Sequence, residues 1–326
     1  MAHRIKAVIA PEKAEMRKIF ADVMGSLAGA DKRVIYMDCD LSNSIGMAAF
    51  MKEFPDQSVN CGIMEANMIG VASGMSSVGL IPFVHTFGTF ASRRVMDQVF
   101  VSAAYAKQNV RIIGSDPGVT ASMNGGTHMP FEDIGMMRTV PGVTIIEPTD
   151  SVMLADMMRQ TKDRQGVFYI RLSRKVAVGV YEAGSDFEIG RAVPLREGKD
   201  VTIFAAGIGV ADSLEAAGML ADEGIDCAVV DMFTIKPLDT SAVLTAAEQT
   251  GAIVTVENHN VIGGLGSAVA EALCDTVPVP LERIGAQDVF GEVGTVDWLK
   301  KRFGMTPEHI AAAARRAIGR KGPQRV

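Results

Sequence analysis

Cysteine is scarce in this chain of 326 residues: Cys39, Cys61, Cys227 and Cys274 stand far apart and show no CxxC spacing. That excludes a zinc framework or a disulfide scaffold and fits a reduced, cytoplasmic setting. Aromatic residues are also few, 6% against 48% hydrophobic residues in all, so the core must be aliphatic and rich in methionine. Positive charge is in deficit, with 32 Lys and Arg against 38 Asp and Glu. Nucleic acid and anionic membrane are thereby excluded as main partners, and any anion site must be local, built from a few converging arginines. Long apolar runs are missing too. No uncharged stretch approaches transmembrane length, and the run at 7–10 is too short for a signal peptide.

What is present is alternation. The length exceeds the usual single-domain range, so two domains are expected. Short β-rich runs at 34–37, 81–85, 110–114, 143–146 and 167–172 alternate with helix-like stretches at 13–27, 64–75, 91–106, 131–138 and 151–161. Continuous apolar strands interleaved with helices predict a parallel sheet covered on both faces. The polar, glycine-containing stretch 181–198 interrupts the pattern and marks the boundary. A second set follows: strands 201–205, 227–231 and 252–256, with helices 210–223, 240–248, 267–273 and 307–318. The expected fold class is α/β in two domains, 1–186 and 187–326.

The glycine turns Gly207-Ile208-Gly209 and Gly263-Gly264-Leu265-Gly266 follow strands and open helices. Neither completes the dinucleotide fingerprint, since Asp212 stands at the third glycine position of the first, and they read as structural turns. Chemistry gathers elsewhere. Glu65 is an acid alone among apolar and small residues, and a buried carboxylate is costly unless something binds it. The bland account is an acid favoured by a helix N-terminus. Phe87 and Phe90 form either a ring platform or part of the core. His128 follows a small-residue loop that lets backbone approach a ligand closely, whereas His85, His259 and His309 read as packing or surface residues.

The order Glu65, then Phe87-Gly88-Thr89-Phe90, then Gly125-Gly126-Thr127-His128-Met129-Pro130-Phe131-Glu132-Asp133 resembles the transketolase family. The run from Glu257-Asn258-His259 to Gly263-Gly264-Leu265-Gly266-Ser267-Ala268 is similar to that family's C-terminal domain. The resemblance implies thiamine diphosphate as cofactor, a pyrimidine-binding domain followed by a transketolase C-terminal domain, and transfer of a two-carbon ketol unit between sugar phosphates. It assigns Glu65 to the aminopyrimidine ring nitrogen and His128 to substrate oxygens. Phe87 and Phe90 match the pyrimidine platform, Asp40 an acid near the cofactor, and Arg93 a position where an aromatic often lines the pocket. Arg17, Ser44 and Arg174 match positions gripping a sugar phosphate, with Arg171 a weaker candidate. Asp116 stands where a histidine is common in the phosphate site, and Asn124 replaces an acid that reads a sugar hydroxyl. An acid beside phosphate would repel it, so the identity of the sugar is open.

The family's diphosphate site needs a metal held by a Gly-Asp-Gly motif and a later Asn. Here Gly114-Ser115-Asp116-Pro117-Gly118 only imitates it, and no oxygen-ligand set for a hard cation is evident. The resemblance therefore implies the C-terminal subunit of a two-chain transketolase. Its N-terminal partner subunit would carry the diphosphate and Mg2+ (or Ca2+), in a two-plus-two assembly. Two alternatives remain: the beta subunit of a 2-oxo acid dehydrogenase, against which the run from Thr127 to Asp133 speaks, and a non-catalytic regulatory subunit that has kept the fold. A deoxyxylulose phosphate synthase-like activity is a smaller variant of the same chemistry.

Overall fold

The structure is a computed structural model and describes residues 3–321. Its strands are β1 (Ile5–Glu15), β2 (Val34–Asp38), β3 (Ser58–Asn60), β4 (Ile81–Phe87), β5 (Val110–Ser115), β6 (Val143–Ile146) and β7 (Val167–Leu172). There follow β8 (Val176–Tyr181), β9 (Val193–Arg196), β10 (Val201–Ala205), β11 (Cys227–Asp231), β12 (Thr234–Lys236), β13 (Ile253–Asn260) and β14 (Leu281–Ala286). The larger sheet runs β12-β6-β7-β5-β4-β2-β3 and the smaller β14-β13-β10-β11-β9. Both are parallel except for β12 against β6 and β9 against β11.

Why the strands read as unbroken apolar runs is visible in their packing. Along β2, Val34 and Tyr36 enter one core cluster while Ile35 and Met37 enter the other. Each face of the sheet is thus covered by helices, so both sets of alternating side chains must be apolar. The helices Met16–Ala30 and Ser151–Lys162 lie over one face, and Glu65–Ser77 with the π-helical segment Gln98–Tyr105 over the other. Residues of the smaller sheet, Ile203 and Phe204 among them, join the same two clusters.

Several expectations need correction. The helix read from residue 13 begins at Met16, because 5–15 is strand β1, paired antiparallel with β8. Its partner lies far along the chain, and such pairing leaves no local trace. The helix read at 91–106 is broken by a turn at 93–95 and resumes partly as the π-helical segment Gln98–Tyr105. Strands β12 and β14 were not expected; β12 comes from the second half of the chain and joins the edge of the first sheet.

The two halves are tied by buried charge. Arg171 on β7 is 1% exposed; its Nε donates to Asp133 Oδ2 at 2.9 Å, Nη1 to Glu147 Oε2 at 2.6 Å and Nη2 to the Asn258 carbonyl at 2.9 Å. All its directions are taken up inside the protein, so it is a structural pillar and not a substrate ligand. Asn258 in turn donates to the Pro117 carbonyl and accepts from the Val119 N–H, each at 2.8 Å. Gly118 between them has φ +50°, and a Cβ there would lie 2.1 Å from Asn258 Oδ1. The second half therefore holds the loop that leaves β5 at Asp116.

Candidate active site

Parallel strands point their C-terminal ends to one edge, where ligands bind in open α/β sheets. Phe87 ends β4, Asp116 follows β5, and Arg174 stands two residues beyond β7. Glu65 begins its helix and is 4% exposed. The N-terminal dipole favours its carboxylate there, so the bland account holds as far as it goes. A second partner completes it: Arg94 Nη1 donates to Glu65 Oε1 at 3.0 Å. The Arg94 guanidinium carbon lies 3.7 Å over the Phe90 ring centroid.

The aromatic platform closes around His128. Phe87 and Phe90 meet edge-on at 6.3 Å, and the His128 ring stands 5.6 Å from Phe87 and 5.1 Å from Phe90. His128 Nδ1 shares a 2.9 Å hydrogen bond with the Thr127 hydroxyl. Arg93 straps this loop from outside: its Nη2 donates to the Thr127 carbonyl at 3.0 Å and its Nε lies 3.1 Å from Glu132 Oε1. Burial pushes the Glu132 carboxyl up, with Arg93 opposing. Gly126 sits so close to the second half that a Cβ would come 2.2 Å from the Gly291 carbonyl oxygen.

A second group lies across Phe87, whose ring centroid is 4.9 Å from the Arg174 guanidinium. Arg174 Nε donates to Asp116 Oδ2 at 2.6 Å, and its Nη1 donates to the Ser44 hydroxyl. Arg17 donates to the Ser44 carbonyl at 3.1 Å and to Glu15 at 2.5 Å. Sequence reasoning placed Asp116 beside the phosphate as an acid that would repel it; the structure adds that it is the ion-pair partner of Arg174.

Beneath lies a buried polar set. His85 Nε2 is 3.0 Å from the Ser115 hydroxyl, and Asp38 accepts from the Tyr36 hydroxyl at 2.9 Å. Burial depresses the His85 imidazole below its ordinary range. The packing role read for it agrees with its complete burial.

Not every candidate joins these groups. Asp40, with φ +64°, is exposed at the turn after β2 and bonded to Asn60. Asn124 is exposed and lines a cavity of about 440 Å3 with Asp116 and Arg174. Sequence reasoning missed Arg94, Glu15 and Glu132. The spacing of Arg94 four residues after Phe90 was the one available signal. Among the described residues no group of three or more His, Cys, Asp or Glu could hold a metal ion, and no helix is long and apolar enough to cross a membrane.

An acid, two aromatic rings and a pair of arginines thus gather at the strand ends of a two-part α/β chain. Residues 12–178 match the family description "Transketolase, pyrimidine binding domain" and residues 190–310 "Transketolase, C-terminal domain". The chain belongs to the transketolase family. It is 48% identical to the 6-deoxy-6-sulfo-D-fructose transketolase subunit of Clostridium sp. (strain MSTE9), over 94% of this chain and 95% of that one. An apulose-4-phosphate transketolase subunit of Phocaeicola vulgatus is 37% identical, over 91% and 96% respectively. Human transketolase is 34% identical over 94% of this chain, which spans 49% of its length. Among solved structures, a split gene transketolase described as an inactive beta4 tetramer superposes with TM-score 0.87 at 38% identity, covering 95% of this chain and all of that one.

Proposed function

We propose that this chain is the C-terminal subunit of a thiamine-diphosphate-dependent transketolase. It transfers a two-carbon ketol unit between sugar phosphates, or sugars with another terminal anion, when joined to an N-terminal partner subunit. The observation that carries this reading is Arg94. Its guanidinium, flat and edged with N–H donors, lies on Phe90 and bonds Glu65. A slot that accepts such a group suits a planar, amino-bearing heterocycle such as an aminopyrimidine.

Bound there, the cofactor supplies the electron sink that lets a carbon–carbon bond beside a carbonyl break. Glu65 holds the ring nitrogen and shares a proton with it, a role its burial between helix terminus and platform supports. Phe87 and Phe90 fix the ring plane, offset stacking being worth about 0.5–1.5 kcal/mol beyond area burial. Arg93 keeps the His128 loop against that platform, and Asp40, exposed at the turn after β2, would meet the cofactor where it lies across the chain boundary. His128 hydrogen-bonds substrate hydroxyl or carbonyl oxygens. Arg17, Ser44 and Arg174 hold the remote end of the sugar, with Asp116 and Asn124 alongside. The domains divide between 186 and 187.

The partner would bring the diphosphate site with Mg2+ or Ca2+, in an assembly of two of each chain. Similarity to two relatives named as subunits, and to a tetramer of one subunit type described as inactive, supports the need for a partner. The names of these relatives mention a sulfo sugar in one case and a sugar phosphate in the other, so the terminal anion is not common to them.

Co-expression with a short protein bearing Gly-Asp-Gly and a downstream Asn tests the reading. Ketol transfer by the complex, absent from the isolated chain, is expected. Decarboxylation of 2-oxo acids instead would favour the dehydrogenase alternative. Glu65→Ala should lower turnover about 100-fold or more; unchanged turnover would leave a regulatory subunit.

A further inference from the structure

Two guanidiniums converge on Ser44, and Lys175 stands beside them. Each of these cations is already matched by an acid of the same chain. Asp116 takes Arg174, while Glu15 accepts from Arg17 at 2.5 Å and from Lys175 at 3.4 Å. Lys300, Asp212 and Asp297 line the same cavity as Asp116, Arg174 and Lys175, so four cations and four carboxylates leave no net positive charge at this end of the cleft.

The two acids are not equivalent. The Glu15 side chain is 31% exposed and can swing into water, where its charge is screened. Asp116 is 2% exposed and held fast. Its Oδ1 accepts from the Arg174 N–H at 3.2 Å, its Oδ2 accepts from Arg174 Nε, and its own N–H donates to the Leu172 carbonyl at 2.8 Å. It cannot withdraw when an anion arrives. Any ligand of Arg174 must share that guanidinium with a fixed carboxylate.

The charge of the ligand then decides. A phosphate ester carries about −1.5 to −2 near neutrality, whereas a sulfonate has no second ionisation and stays singly charged. With no surplus positive charge to offset it, the second negative charge of a phosphate ester is pressed against the fixed carboxylate of Asp116, which a singly charged sulfonate meets less strongly. We propose that this site selects sugars whose end remote from the carbonyl bears a singly charged sulfonate-type anion over the corresponding phosphate esters, with Asp116 setting the preference. This rests on the transketolase reading for which residues face the substrate. The position of Phe87 agrees with it, since one ring touches both His128 and Arg174 and so separates the reacting end from the anionic end.

The test uses the complex of this chain with its N-terminal partner and thiamine diphosphate. Donors are 6-deoxy-6-sulfofructose, fructose 6-phosphate and fructose, with one uncharged aldose as acceptor. The sulfonate should exceed the phosphate in kcat/KM by about tenfold, the scale of one unmatched charge in a partly buried site. Asp116→Asn removes the charge, keeps the acceptor for the Arg174 N–H, and tolerates the φ of +54° at this position. It should narrow the ratio severalfold, through a lower KM for the phosphate with kcat little changed. A phosphate donor equal to or better than the sulfonate, or a ratio indifferent to Asp116→Asn, overturns the proposal. If none of the three donors turns over, the transketolase reading falls, and calorimetric binding of the two anionic sugars decides the charge inference alone. Tighter sulfonate keeps it; equal or tighter phosphate sinks it.

Discussion

Arg94 donates to Glu65 across 3.0 Å while its guanidinium lies 3.7 Å over the ring of Phe90. One side chain thus satisfies both the acid and the aromatic face that the cofactor reading needs. Glu65 is 4% exposed, but the Arg94 side chain is 48% exposed, so the plug can leave toward solvent. A half-solvated ion pair contributes about 0.2–1 kcal/mol and an exposed cation–π contact about 0.5–1 kcal/mol. Displacing Arg94 therefore opposes cofactor binding by a factor of about three to thirty. Arg94→Ala is expected to tighten thiamine diphosphate binding severalfold in the reconstituted complex, read by calorimetric titration. Weaker binding would mean that Arg94 holds the cofactor and does not compete with it.

Arg171 gives a prediction of the opposite kind. Its removal leaves Asp133 and Glu147 buried without their cation, and breaking a buried pair from one side costs about 3–5 kcal/mol. Arg171→Met, similar in length but uncharged, should lower stability on that scale in urea unfolding at neutral pH. Since Asn258 and the loop after β5 hang on the same network, the loss should also appear as faster proteolysis within 116–125. A stability change below about 1 kcal/mol would refute the pillar role.

Gly126 faces the Gly291 carbonyl so closely that any side chain must move one of the two backbones. Gly126→Ala should shift the loop carrying His128. The expected result is a drop in kcat of about tenfold or more, with smaller change in cofactor affinity, because a displacement near 1 Å is costly to reacting geometry. Unaltered kcat would show that the contact between Gly126 and Gly291 does not position His128.

How much of this was legible in the sequence depends on whether the cause was local. Strands β2, β4, β5 and β7 are covered on both faces, so their apolar runs announce them. Phe87, Phe90 and His128 come together as expected because a glycine loop and a strand end bring them to one edge. Strand β1 is half-exposed and exists through pairing with β8, so nothing within 5–15 reveals it. Three residues of β12 are too few to show a period. Arg171 and Arg174 lie three apart and look alike in sequence; one points into the junction between halves and the other to the strand-end cleft. Only the fold separates them. The pairing of Asp116 was illegible for the same reason, since its partner Arg174 lies far along the chain.

The junction also sets a pH dependence. Asp231 is fully buried, accepts from the Thr149 hydroxyl at 2.5 Å and the Tyr181 hydroxyl at 2.7 Å on Oδ2, and has no partner on Oδ1. Burial is the main cause that pushes its carboxyl up to about 7, helped by Asp150 and Glu147 and opposed by the two hydroxyls. With the folded value above the unfolded one, folding keeps a proton that the unfolded chain releases. The stabilisation is complete below about pH 4 and is lost as pH rises through about 7. Glu257, also pushed up to about 7 by burial, acts in the same sense. His259, depressed to about 4 by burial, acts in the other, losing stability as pH falls below its ordinary value of 6.5. Asp231→Asn keeps an acceptor for both hydroxyls and cannot ionise. The stability of the native chain relative to this variant should therefore fall by a few kcal/mol between pH 4 and pH 8, read from urea midpoints at matched ionic strength. A difference independent of pH would mean that Asp231 is ionised in the folded protein throughout, with water or a shift in structure supplying the missing partner of Oδ1.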